Sequence, residues 1–153
     1  MYTPEGTRQR NALLKVTTFN LADYLLPVIN KIPAVVIERT KSSGGAKGSY
    51  SPYKTHWTKV RERKGLQTGN KDFWFEGDMW KTYKVTTAEN TDYGAMFILS
   101  SEGAVGHNGK ELVDIHSDKE GQNLLDITDD EWKDIEDELM IEIEKKIDAI
   151  LGS

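Results

Sequence analysis

Apolar positions at Leu21, Tyr24, Leu25, Val28, Ile29 and Ile32 step by three and four residues, which lays them on one face of a helix. Asn20 stands where an N-cap belongs, and Asp23 puts a negative charge in the first turn. Pro27 removes a donor inside that helix and predicts a kink, and Pro33 pushes Ile32 out of helical geometry. The next piece, "AVVIERT", is rich in β-branched residues and fits a helix or a strand. "KSSGGAKGS" then reads as a flexible loop.

A second helix is punctuated at both ends. Ser51 suits an N-cap, Pro52 suits the first helical position and Gly65 suits a left-handed C-terminus, which predicts a helix over 52–64. Tyr53, Trp57 and Val60 share one face of it, so Tyr53 and Trp57 are expected to anchor it to a sheet. Lys54, Lys59, Arg61 and Arg63 fall elsewhere on the cylinder and are the candidate contacts to a neighbouring subunit or to DNA.

The pattern then changes to alternation. Phe73 and Phe75 flank Trp74, a turn is signalled at Gly77, and Tyr83, Val85 and Thr87 can line one strand face. "ENTD", residues 89–92, predicts a turn, and "YGAMFILS" returns as the next strand of an antiparallel meander. Residues 101–124 are polar and contain four glycines, which predicts a long loop. Thr128 to Glu131 form a capping box. Trp132, Ile135, Leu139, Ile143, Ile147 and Ile150 follow at near-helical spacing, with Trp132 as the first anchor of that stripe. Lys145 and Lys146 lie toward the far end, where cations suit the helix dipole. The expected fold is α+β: an antiparallel sheet of about four strands packed by a long C-terminal helix and two earlier helices. Residues 1–16 are expected to be a flexible arm, and 17–153 a single domain.

Composition changes this picture in two ways. Of 153 residues, 37% are apolar and 29% charged, a thin core of the kind often completed by oligomerisation. Charge is also split along the chain. Residues 1–70 hold 12 Lys or Arg against 4 Asp or Glu, and residues 71–153 hold 8 against 21, so balances of +8 and −13 make up the net −5. The basic part of one copy can therefore meet the acidic part of another, or it can meet phosphate. No cysteine is present, so disulfide and thiolate chemistry are excluded. No apolar run is long enough to span a bilayer, and no secretory signal opens the sequence.

Little points to catalysis. "VDIHSDKE" offers Asp114, His116, Asp118 and Glu120, with His107 nearby, as ligands on alternate residues of an extended chain, but its composition is that of a solvated loop. There is no G-x-S-x-G, and "SGGAKGS" lacks phosphate-loop spacing. No cofactor, metal or enzymatic activity is expected.

The block "YSPYKTHWTKVRERKGLQTGNKDFWFEGDMWKTYKV" resembles the central part of small tailed-phage virion-morphogenesis proteins. The matching residues are Tyr50, Tyr53, Arg61, Gly65, Phe73, Phe75, Gly77 and Met79, the last two opening the meander as scaffold anchors. Leu125, Ile127, Thr128 and Glu131 match the segment that leads into the terminal helix of such proteins. The likeness extends over roughly residues 36–150. It implies a non-enzymatic neck, tail-completion or tail-terminator subunit at the head–tail junction, made in the host cytoplasm and built into the virion. The implied partners are further copies in a hexameric or dodecameric ring, the portal-adaptor and tail proteins, and passing genomic DNA. The alternative is a sequence-nonspecific nucleic-acid-binding protein that uses the basic helix 52–64.

Overall fold

The computed structural model describes residues 19–74 and 78–152. The expected arm, 1–16, and the proposed anchor Gly77 lie outside them. The first helix, α1, runs Leu21–Ile29 and α2 runs Ile32–Ser42. Asn20 caps α1 by accepting the Asp23 N–H at 3.1 Å. Pro27 is accommodated inside α1; the chain breaks one turn later at Asn30 and Lys31, and Pro33 serves at the start of α2. "AVVIERT" is helical, because Ile32, Val36 and Thr40 recur every four residues and all are buried.

Helix α3 spans Thr55–Arg63, three residues shorter at its start than the predicted helix. Ser51 does not cap it: its N–H and hydroxyl are both bound to Glu120, and the backbone stays extended through Lys54. The far end is as predicted. Gly65 has φ 68°, and the Leu66 N–H returns to the Arg61 carbonyl at 3.0 Å.

Beyond residue 77 a strand was expected, but Asp78–Thr82 form a short helix, α4. Met79, Trp80 and Tyr83 are all buried, a spacing an alternating strand cannot bury on one side. Met79 is thus an anchor as expected, though from a helix. Strands β1, Tyr83–Thr91, and β2, Gly94–Ser101, form an antiparallel hairpin whose turn is Asp92–Tyr93 rather than 89–92. Thr86 is an extra residue between the pairs Val85–Leu99 and Thr87–Ile98, a bulge. Among the described residues the sheet has two strands, not about four. Residues 71–74 belong to no strand, and their polar groups are used by side chains instead.

The stretch 101–124 is not a loop throughout. Leu112–Glu120 form helix α5, closed by Gly121 in the left-handed conformation. Its inner residues are few, and Asp114, Asp118 and Lys119 face solvent, which hides the helix in a polar composition. The last helix, α6, runs Asp129–Leu151 behind the predicted capping box, in which Thr128 Oγ1 accepts the Glu131 N–H at 3.2 Å. Its last turn carries no basic side chain, since Lys145 and Lys146 end up short of it.

The core gathers Val28, Ile29, Ile32, Val36, Met79, Trp80, Tyr83, Val113, Leu124 and Ile135. Helix α1 packs on the hairpin and on α6. The Arg39 guanidinium pairs with Glu131 and donates to the Asp126 carbonyl at 2.7 Å, which ties α2 to the start of α6. Trp132 is not an anchor: it is 43% exposed at the margin of the α6 stripe.

Candidate functional site

The basic helix α3 is held by its own arginine. Arg61 is 2% exposed. Its Nη2 meets both carboxylate oxygens of buried Asp72 at 2.9 and 3.0 Å, Nε donates to the Gln67 carbonyl at 2.8 Å, and Nη1 donates to the Trp74 carbonyl at 2.5 Å. The Tyr53 ring lies under the guanidinium at 4.5 Å, and its hydroxyl donates to Asp72 Oδ1 at 2.8 Å. Burial, then the bond to Asp72 and its charge, push the Tyr53 phenol up to about 12. Asp72 also accepts from Gln67 Nε2 at 2.7 Å and from the Trp74 N–H at 2.9 Å. A buried charge persists only when paired and hydrogen-bonded in this way.

This overturns one sequence expectation. Arg61 is not placed to contact DNA or a neighbouring chain, because its guanidinium is buried and bonded inside the fold. Lys54, Lys59 and Arg63 are exposed, as that expectation required. Tyr53 is an anchor, but through Arg61 and Asp72 rather than through a sheet. Trp57 is not a core residue, being 45% exposed.

Trp57 instead forms a wall of a groove of about 450 Å³ between α3 and α5. Tyr53, Lys54, His56 and Trp57 line the α3 side, His116 and Lys119 the α5 side, with Phe73 and Lys71 between them. Phe73 holds φ 54°, a left-handed conformation unusual for a bulky residue. Its ring sits edge-on to Tyr50 and against His116, both at 4.9 Å between centroids.

The charges inside the groove are matched. Glu120 pairs with Lys71 and accepts from the Ser51 N–H at 2.8 Å and hydroxyl at 3.0 Å. Burial alone raises its carboxyl pKa, but the Lys71 and Ser51 bonds outweigh burial and leave it lowered. His116 is lowered by burial and then by the nearby Lys119 and Lys71 charges, so it is neutral at pH 7. The "VDIHSDKE" segment is helical, so its four candidates divide between two faces: His116 and Glu120 line the groove, and Asp114 and Asp118 lie on the solvent side. Asp114, Asp118 and His107 are exposed elsewhere. Among the described residues no group of three or more His, Asp or Glu could hold a metal ion.

Sequence reasoning missed Lys71, Phe73, His116 and Glu120 as parts of one groove. The spacing of Leu112, Val113 and His116 carries a weak helical signal, but nothing local shows that α5 faces α3. No protein-family model, curated protein or solved structure matches the chain. Among the described residues, no helix is long and apolar enough to cross a membrane.

Proposed function

We propose that the chain is a non-enzymatic structural subunit of a tailed-phage head–tail junction, a neck, tail-completion or tail-terminator protein that assembles as a ring. The motif series from Tyr50 to Met79 and from Leu125 to Glu131 supplies the family expectation. The structural observation in its favour is apolar surface on the outer sides of the fold. Met96 and Ile98 stand on the outer hairpin face, and Met140, Ile147 and Leu151 on the outer side of α6, all more than two-fifths exposed. Where such side chains form a continuous patch, they suit association with another protein. The groove has aromatic walls, which suit the binding of another chain. The ring partners would be other copies, the portal adaptor and the tail.

Negative-stain electron microscopy of the purified chain, with particles assembled without it, tests this reading. Closed rings, and full heads lacking tails, are the expected results. A chain that stays monomeric, together with complete infectious particles in its absence, would sink it.

The nucleic-acid reading keeps one specific observation: aromatic groove walls with exposed Lys54 among them, and exposed Lys59 and Arg63 on the same helix α3. It predicts binding that weakens steeply with salt and that falls on Lys59→Ala plus Arg63→Ala. Salt-independent or undetectable binding would dispose of it.

A further inference from the structure

Helix α6 carries two apolar stripes. Ile135, Leu139 and Ile150 turn toward the core. Met140, Ile147 and Leu151 are spaced seven and then four residues apart, which places them within about 20° of one line along the helix. They are 51%, 46% and 69% exposed. Glu144 and Asp148 border them along one side, both exposed, on a helix with ten carboxylates and three lysines.

The α3–α5 groove is the counterpart in shape and charge. Its walls are Trp57, Tyr53, Phe73 and His116, and its two lips carry Lys54 and Lys119. Resting on the ring reading above, we infer that this groove receives the Met140–Ile147–Leu151 stripe of α6 from a second copy, so that copies join head to tail. The aliphatic side chains enter the groove, and Glu144 and Asp148 meet Lys54 and Lys119.

A nucleic acid fits less well. Two groove cations are already matched, Arg61 by Asp72 and Lys71 by Glu120, which leaves Lys54 and Lys119 as the lip charges. Two lysines suit two carboxylates, whereas nonspecific nucleic-acid affinity grows with the number of phosphates neutralised. The chain is also acidic overall. Because groove and stripe are different surfaces of one chain, the contact is heterologous. Such contacts close into rings when the rotation permits and run on as filaments when it does not.

Complementation between two defective variants tests this. Trp57→Glu spoils the groove and leaves the stripe, and Ile147→Glu does the reverse. Both sites are surface-exposed, and circular dichroism checks that each variant folds. If either does not, Lys54→Glu with Lys119→Glu, and Glu144→Lys with Asp148→Lys, take their places.

Analytical ultracentrifugation should show each variant self-associating about tenfold or more weakly than the parent chain. An equimolar mixture should form a 1:1 dimer that grows no further. If both variants still form the parent's rings, the groove assignment is wrong and the ring reading stands. If the parent chain forms no assembly, both fail. A fluorescein-labelled single-stranded oligonucleotide is titrated in parallel. Binding that Trp57→Glu abolishes, with no dimer on mixing, would overturn the inference in favour of a nucleic-acid groove.

Discussion

Arg61→Ala separates a structural arginine from a contact arginine. The substitution removes the guanidinium from Asp72, from the carbonyls of Gln67 and Trp74, and from the Tyr53 ring. Asp72 keeps its bonds from Tyr53, Gln67 and the Trp74 N–H but loses its countercharge while remaining buried. Breaking one side of a buried pair costs about 3–5 kcal/mol, and the two orphaned carbonyls push the value toward the upper part of that range. A domain of this size has only about 5–15 kcal/mol in total, so the variant should be largely destabilised. Urea unfolding at fixed protein concentration, followed by tryptophan fluorescence, gives the number. Arg63→Ala, at an exposed site, should stay within about 0.5 kcal/mol. Arg61→Met with Asp72→Leu should recover only the part due to the unpaired buried charge, since the Gln67 and Trp74 carbonyls and the three donors to Asp72 still lose their partners. A loss below about 1 kcal/mol for Arg61→Ala would refute the reasoning, and equal effects of Arg61 and Arg63 would refute it more sharply.

The remaining predictions concern the helix start and the groove. Thr128→Ala should cost about 0.5–2 kcal/mol, because Thr128 Oγ1 caps the Glu131 N–H and its backbone N–H holds the Glu131 carboxylate that also pairs with Arg39; thermal unfolding measures it, and an unchanged midpoint would contradict the capping assignment. His116 is held neutral below its ordinary 6.5, so the unfolded chain takes up its proton first as pH falls. Stability from this group is complete above 6.5 and drops as pH falls below that value toward the folded pKa. Glu120 has its pKa lowered from 4.5, so its contribution holds above 4.5 and is lost at more acid pH as the folded pKa is passed. His116→Gln should flatten the slope of stability just below pH 6.5 and leave the more acid limb in place; an unchanged slope there would show that His116 is not the group.

Local signals in the sequence were reliable where the structure is local. The α1 face, the Asn20 cap, the Gly65 terminus and the Thr128 capping box each depend on residues within a turn or two of one another, and all four are present. Elements decided by distant partners were not legible. Strand alternation around Phe73 and Met79 gave way because Trp80 Nε1 donates to the Asp72 carbonyl and Met79 and Tyr83 turn into the core together. Helix α5 escaped notice because a nine-residue helix with one buried side chain leaves almost no apolar pattern. Arg61 looked like its basic neighbours because its carboxylate partner lies eleven residues away in a segment without regular structure.

That arginine also explains why the groove exists. The segment from Leu66 to Trp74 has no ladder hydrogen bonds of its own, so its position depends on side chains. Arg61 holds the Gln67 and Trp74 carbonyls, and Gln67 in turn holds the Asn70 carbonyl at 2.6 Å and N–H at 3.0 Å. With both ends pinned, Phe73 can be kept at φ 54° against Tyr50 and His116, between the two helices. Loosening the pin should therefore act on binding as well as on stability. In a mild variant such as Gln67→Ala, the groove should lose affinity for its occupant even under conditions where the chain remains folded. Comparing association strength with unfolding free energy across Gln67→Ala, Arg63→Ala and the parent chain distinguishes this from a general weakening. Only the first should lower both, and a Gln67→Ala chain that associates as the parent does would show that Phe73 is held by its ring contacts alone.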